Sequence, residues 1–345
     1  MPRFSSLVFV LIFGASQPAY SACVDAVEAV CTSNSCGEKF KVNSSSNIQV
    51  YRSYSLGKTH CAVTRAILVI HGRGGTGSDV FATMVDAAQV SGKLNNTLII
   101  APYFPDAKDG TQPLADSDLK WQRDVGSAAT YDAAMGGVSV TPSQISSFKI
   151  ADDIILAIAT SGRFPSLEFI TVVGHSGGGQ FTQRYAAVGN RQEPSAIRFH
   201  YVVANPSSYM YLDPKRPVSG FTTIFSVPSL PSCKYYNVYG YGLDDLHKNA
   251  YMSQLPASLI IDQYLPRTVT YLLGEQDTAT TNLDVSCYAQ VEGLNRYTRG
   301  TAFSNYVTKY YPGATNHIRV AVPGVGHSAS NMFKSAQGRT VLFAN

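Results

Sequence analysis

Charge is what this sequence has least of. Only 14% of its 345 residues are Asp, Glu, Lys or Arg, and the formal net charge is +4. So small an excess on so long a chain excludes the electrostatic footprint of a nucleic-acid binder, and no cluster of Lys and Arg marks an anionic membrane surface. After the first twenty or so residues no apolar run is long enough for a transmembrane helix. Paired Cys/His sets of zinc spacing are missing, so Cys31 and Cys36 do not read as a metal site. What remains is an ordinary globular composition, 45% hydrophobic, with apolar surface enough for one large core and too much of it for a disordered chain.

The N-terminus does carry a short apolar run. Arg3 precedes Leu7–Phe13, and the small residues Ala19 and Ser21 follow. This is the order of a signal peptide over residues 1–21, cut near Ser21 and Ala22, and the run is too short for a stable membrane anchor. The expected location is secreted or periplasmic. All six cysteines, Cys23, Cys31, Cys36, Cys61, Cys233 and Cys287, lie beyond the cut. An even count in an exported chain reads as disulfides. The simplest pairing puts two bridges within the N-terminal segment 22–62 and joins Cys233 to Cys287. A lipid anchor on Cys23 would leave an odd number, and Tyr20 departs from the lipid-attachment pattern.

Short runs rich in Val, Ile, Leu and Tyr recur along the rest of the chain. Ile48–Tyr54 alternates and reads as an early edge strand. Ala66–Ile70, Thr97–Ala101, Phe169–Val173, Tyr201–Ala204, Val269–Leu273 and Ile318–Val322 are apolar enough for strands buried on both faces. Ile150–Ile158 and Gln180–Val188 have helical spacing. Strands alternating with helices predict an α/β domain over 63–345, with a mostly parallel central sheet flanked by helices. Two stretches stand outside this scheme. Residues 105–148 are rich in Asp, Gly and Ser and read as a long loop excursion. Residues 207–266, rich in Tyr, Phe and Pro, read as a lid-like insertion over a pocket at the sheet's edge.

The chemistry centres on Gly174-His-Ser-Gly-Gly178, set between a buried strand and a helix. A serine in G-x-S-x-G at that junction sits on a turn so tight that its oxygen is thrust out at the end of the sheet, with the Gly177 N–H aimed where an oxyanion would form. No phosphate-cradling pattern fits this stretch: it holds no G-x-G-x-x-G and no Gly-Lys-Ser/Thr. A serine hydroxyl is a weak nucleophile without a base, and the base needs an orienting acid. His327, in the glycine-lined loop after the last strand, is the expected base. Asp277, just past the strand ending in Gly274, is the expected acid; Glu275 lies too early and Asp213 follows the previous strand. The second oxyanion donor is expected from His71-Gly-Arg-Gly-Gly75, as the backbone N–H of Arg73 or Gly74.

These motifs carry a resemblance. HGRGG at 71–75, GHSGG at 174–178, GEQD at 274–277 and PGVGHS at 323–328 make residues 63–345 resemble an α/β-hydrolase of the esterase/lipase type. The resemblance implies an α/β-hydrolase fold and a Ser176–His327–Asp277 triad. It implies acyl-enzyme chemistry on a small-molecule or polymeric ester, with no metal or organic cofactor. The same triad could cut a polymer, a peptide or a β-diketone C–C bond, and a catalytically silent binding module could share the fold. Oligomeric state, acyl length and substrate identity are not written in these motifs.

Overall fold

The computed structural model describes residues 23–26, 28–107, 114–122, 132–140, 142–189 and 196–343. The expected signal peptide lies outside the described residues. The strands are β1 (Gly37–Lys41), β2 (Asn47–Arg52), β3 (Arg65–Ile70), β4 (Thr97–Pro102), β5 (Phe169–His175), β6 (Arg198–Ala204), the two-residue β7 (Arg216–Pro217) and β8 (Phe225–Ser226), β9 (Val269–Gly274) and β10 (His317–Val322). Eight form one sheet in the order β1-β2-β4-β3-β5-β6-β9-β10; β7 and β8 pair separately. From β4 to β10 every pairing is parallel, while β1–β2 and β2–β4 are antiparallel. The helices are α1 (Gly77–Val90), α2 (Ser147–Thr160), α3 (Gly177–Val188), α4 (Ala257–Tyr264), α5 (Cys287–Gln290), α6 (Arg296–Tyr310), α7 (Ala329–Lys334) and α8 (Ala336–Phe343).

Burial explains the strands. Every residue of β3, β4 and β9 is buried, because helices cover the sheet on both faces. Within β3 the alternation still sorts side chains. Ala66, Leu68 and Ile70 join a core with Phe148, Phe181 and Tyr271, whereas Ile67 and Val69 join Phe81, Met84, Met332 and Leu342. The strand expected over 48–54 is β2, and it is not the edge. That place belongs to β1, whose Gly-Glu-Lys-Phe-Lys sequence carries no apolar run to betray it. Its alternate residues are exposed, and Glu38 accepts from Arg52 of β2 at 2.7 Å. Charged residues of this kind suit an edge, where they discourage pairing with another chain.

The disulfides are Cys23–Cys61, Cys31–Cys36 and Cys233–Cys287: two within the N-terminal segment and Cys233–Cys287, as expected, with the structure choosing the pairs among the first four cysteines. No helix among the described residues is long and apolar enough to cross a membrane.

Within the 207–266 stretch, Ser207–Leu212 are buried. The Tyr209 ring stacks on Phe303 of α6 with centroids 4.7 Å apart, and Tyr211 meets the same ring edge-on. Buried Arg184 of α3 donates to Ser208 Oγ and to the Gly240 carbonyl, and buried Arg216 donates to the Tyr241 carbonyl. Polar side chains and stacked rings thus draw these residues against α3 and α6, while Phe221, Ile224, Val227 and Leu230 stay exposed.

Candidate active site

β5 runs straight into Ser176, and α3 begins at the next residue. The turn is made at Ser176 itself, with φ 59° and ψ −120°. Such a conformation costs a non-glycine residue about 1–3 kcal/mol and persists only where its surroundings enforce it. Those surroundings are backbone on backbone. A Cβ on Gly174 would lie 2.2 Å from the Gly178 carbonyl oxygen, and one on Gly178 would lie 2.1 Å from that of Ile70. The Ser176 N–H donates to the Ala204 carbonyl of the neighbouring strand at 3.0 Å. The elbow therefore leaves the hydroxyl outside the core and the Gly177 N–H at the first turn of a helix, where no intrahelical acceptor exists for it.

The structure brings Ser176, His327 and Asp277 together. His327 Nε2 is 3.0 Å from Ser176 Oγ, and its Nδ1 is 2.7 Å from Asp277 Oδ2. A carboxylate only accepts, so the Nδ1–H donates to Asp277 and Nε2 is free to accept from the serine hydroxyl. The two loops that carry Asp277 and His327 are stitched together. Glu275 N–H donates to the Val322 carbonyl at 3.1 Å, and Gln276 N–H to that of Val325 at 2.9 Å. Asp277 is buried and His327 partly exposed, with side-chain exposures of 0% and 27%. Of the alternative acids, Asp213 instead holds Lys215 at 2.7 Å. His175 lies beside His327, ring centroids 4.5 Å apart. Burial pushes its imidazole well below the usual range, and His327 and Arg296 add to the effect. Atoms of His175, Asp277 and His327 fall within 4.8 Å of one another, a spacing a metal ion could also use, but Asp277 and His327 already engage each other in the hydrogen-bond chain.

The 71–75 loop abuts the elbow: a Cβ on Gly72 would lie 3.5 Å from Ser176 Cβ and 3.8 Å from the Gly177 nitrogen. Gly75 N–H donates to the Gly72 carbonyl at 3.1 Å and closes a tight turn. Arg73 and Gly74 form its centre, Gly74 at φ 71°, and the turn's own bond uses neither of their N–H groups. His71 fixes this loop. Its Nδ1–H donates to the Gly72 carbonyl at 2.9 Å, and its Nε2 accepts from Phe104 N–H at 3.0 Å. Burial pushes His71 down to about 4, so the neutral ring keeps one tautomer and clamps the 71–75 loop to the segment after β4.

Ser176 and His327 open into a cavity of about 550 Å³. Tyr103, Phe104 and Trp121 give it aromatic wall; Gln122 and Asn282 give it polar groups. Phe104 meets Trp121 edge-on, centroids 5.0 Å apart. None of residues 207–266 lines it. Part of its wall comes from Pro105, Asp106, Trp121 and Gln122 of the 105–148 excursion.

Sequence reasoning passed over three supporting residues. His71 was read only as part of a loop. Asn205, at φ 43° just after β6, accepts from Gly274 N–H at 2.9 Å through Oδ1; an Asn in a left-handed position at a strand end was the available signal. Arg296 of α6 lies 3.7 Å from Asp277 Oδ1, and nothing in the sequence around it points to that partner.

No family model and no curated protein matches the sequence. Two solved structures share its architecture. Poly(aspartic acid) hydrolase-1 from Sphingomonas sp. KT-1 is 19% identical, with a TM-score of 0.58 over 87% of this chain and 96% of that one. The poly(3-hydroxybutyrate) depolymerase LpqC from Bordetella parapertussis is 18% identical, with a TM-score of 0.56 over 89% of each chain. At such identities the likeness speaks to the fold. A mostly parallel eight-stranded sheet, helices on both faces and a serine at the turn after β5 agree with it: the chain has the α/β-hydrolase fold.

Proposed function

We propose that the protein is a serine hydrolase that cleaves carboxylic esters through an acyl-enzyme. The observation that carries this reading is the unbroken hydrogen-bond chain Ser176–His327–Asp277 at the wall of the cavity. Ser176 Oγ attacks the ester carbonyl while His327 Nε2 takes the hydroxyl proton. Asp277 holds the imidazole in its tautomer and stabilises the imidazolium. The tetrahedral oxygen accepts from Gly177 N–H and from the N–H of Arg73 or Gly74; a single such donor is typically worth about 10²–10³ in rate. The imidazolium then returns its proton to the leaving alkoxide. Water, deprotonated by the same nitrogen, hydrolyses the acyl-enzyme and frees the acid and Ser176. No step calls for a metal or organic cofactor.

A polymeric ester is the second reading. The two solved structures above are named as hydrolases of polymers, and the cavity beside Ser176 is lined in part by the aromatic Tyr103, Phe104 and Trp121. Export fits the three disulfides, which persist in oxidising compartments. A silent binding module has no use for a nucleophile, base and acid in register.

The test is hydrolysis of p-nitrophenyl esters from acetate to palmitate, alongside a suspension of poly(3-hydroxybutyrate). The disulfide-bonded protein should turn over at least one of these and be labelled by a fluorophosphonate, and Ser176→Ala should do neither. An intact protein inert to all of them and unlabelled would sink the reading.

A further inference from the structure

Arg296 opens α6 with its side chain wholly buried. Its Nε donates to Ser207 Oγ at 3.2 Å. One terminal nitrogen donates to the Ala279 carbonyl at 3.5 Å, the other to those of Thr281 at 3.2 Å and Asn282 at 2.6 Å. Those carbonyls belong to the loop that starts at Asp277, so the acid's loop is wound around the guanidinium. The same side chain lies 3.7 Å from Asp277 Oδ1. That oxygen is buried and has no hydrogen bond of its own, while Oδ2 holds His327. The next residue of the helix adds a tie, as Tyr297 N–H donates to the Asp277 carbonyl at 3.2 Å.

We propose that Arg296 is the positioning residue of this site: its guanidinium fixes the loop and carboxylate of Asp277, and through them the angle at which His327 meets Ser176. The inference rests on the reading of Ser176 as nucleophile. Arginine suits the task because its planar fork satisfies several carbonyls at once and it keeps its charge when buried. Four ionisable groups bear on Asp277: His327 from the loop after β10, His175 from the end of β5, Tyr209 from the segment after β6 and Arg296 from α6. Burial keeps His175 and Tyr209 neutral, the one pushed down and the other up. Arg296 is the fixed cation of the set. Arg299, one turn along, is turned away to the carbonyls of Ser207, Asp284 and Gly293.

The experiment compares Arg296→Gln and Arg296→Lys with wild type, using rates per serine titrated by a fluorophosphonate so that misfolded protein is not counted. In Arg296→Gln, kcat should fall by about tenfold to a hundredfold with KM within about twofold, the signature of lost orientation. Arg296→Lys, which keeps the charge and loses the fork, should also leave kcat low at an unchanged KM. Arg296→Gln with a kcat within about twofold of wild type, or a loss carried by KM alone, would overturn the inference and leave Arg296 a structural residue. Should that variant not fold, Arg296→Lys decides: wild-type kcat per labelled serine overturns the proposal, and a lowered kcat at unchanged KM supports it. A wild type that is neither active nor labelled would instead end the reading of Ser176.

Discussion

A single methyl group tests the turn at Ser176. Gly178→Ala would drive a Cβ to 2.1 Å from the Ile70 carbonyl oxygen, a main-chain atom that cannot swing aside. The clash belongs to the upper range of overpacking, about 3 kcal/mol or more. Urea denaturation should report that loss, and the surviving folded fraction should label poorly with a fluorophosphonate. The residues whose role depends on local context were legible in the sequence: Ser176 between glycines after a buried run, His327 in its glycine-lined loop, Asp277 past a strand end. The residues whose role depends on distant partners were not. Asn205 acts on Gly274 and Arg296 on the 277–282 loop, and no spacing within either one's own neighbourhood encodes the contact.

At the scale of elements, the cross-links differ by the length of chain they close. Cys233–Cys287 spans 54 residues and Cys31–Cys36 spans 5. Chain entropy then assigns about 4 kcal/mol to the first and about 2 kcal/mol to the second. Replacing each pair by alanine and comparing unfolding free energies should give that order; equal losses would argue against the entropic account. Helix α1 offers a smaller test. Thr76 Oγ1 accepts from Asp79 N–H while the Asp79 carboxylate accepts from Thr76 N–H, both at 3.2 Å. Thr76→Ala should cost about 1 kcal/mol. β3, β4 and β9 were legible because burial on two faces demands apolar runs. β10 was expected to be buried on both faces too, but it is the sheet's other edge and leaves Ile318 and Arg319 exposed. β1 was not legible, since an edge strand half in water needs no apolar run, and the packing of Tyr209 and Tyr211 was not, since stacked tyrosines suit a surface and a core equally well.

For the whole molecule, imidazoles held away from water couple folding to acid; among them His71 and His317 are buried and His200 is half-buried. Burial pushes His71, His200 and His317 each down to about 4. Unfolded, each would bind its proton near 6.5, so between those values the unfolded chain holds protons the native one refuses. Stability is therefore complete above about pH 6.5 and is lost as pH falls towards 4, on the order of 3 kcal/mol for each fully buried ring. Urea midpoints measured at pH 7, 5.5 and 4 should fall in that order, and a flat series would contradict the assignment. The cavity's construction has a consequence for how the protein can change. Beyond the 71–75 loop and the residues around Ser176 and His327, its wall comes from residues 103–106 and 121–122, and the cross-linked, arginine-threaded half of the domain adds only Asn282. Tyr103, Phe104 and Trp121 are core as well as wall, so mutational libraries that spare them and vary Asp106 and Gln122 would explore new substrates while the parts that secure the fold are inherited unaltered.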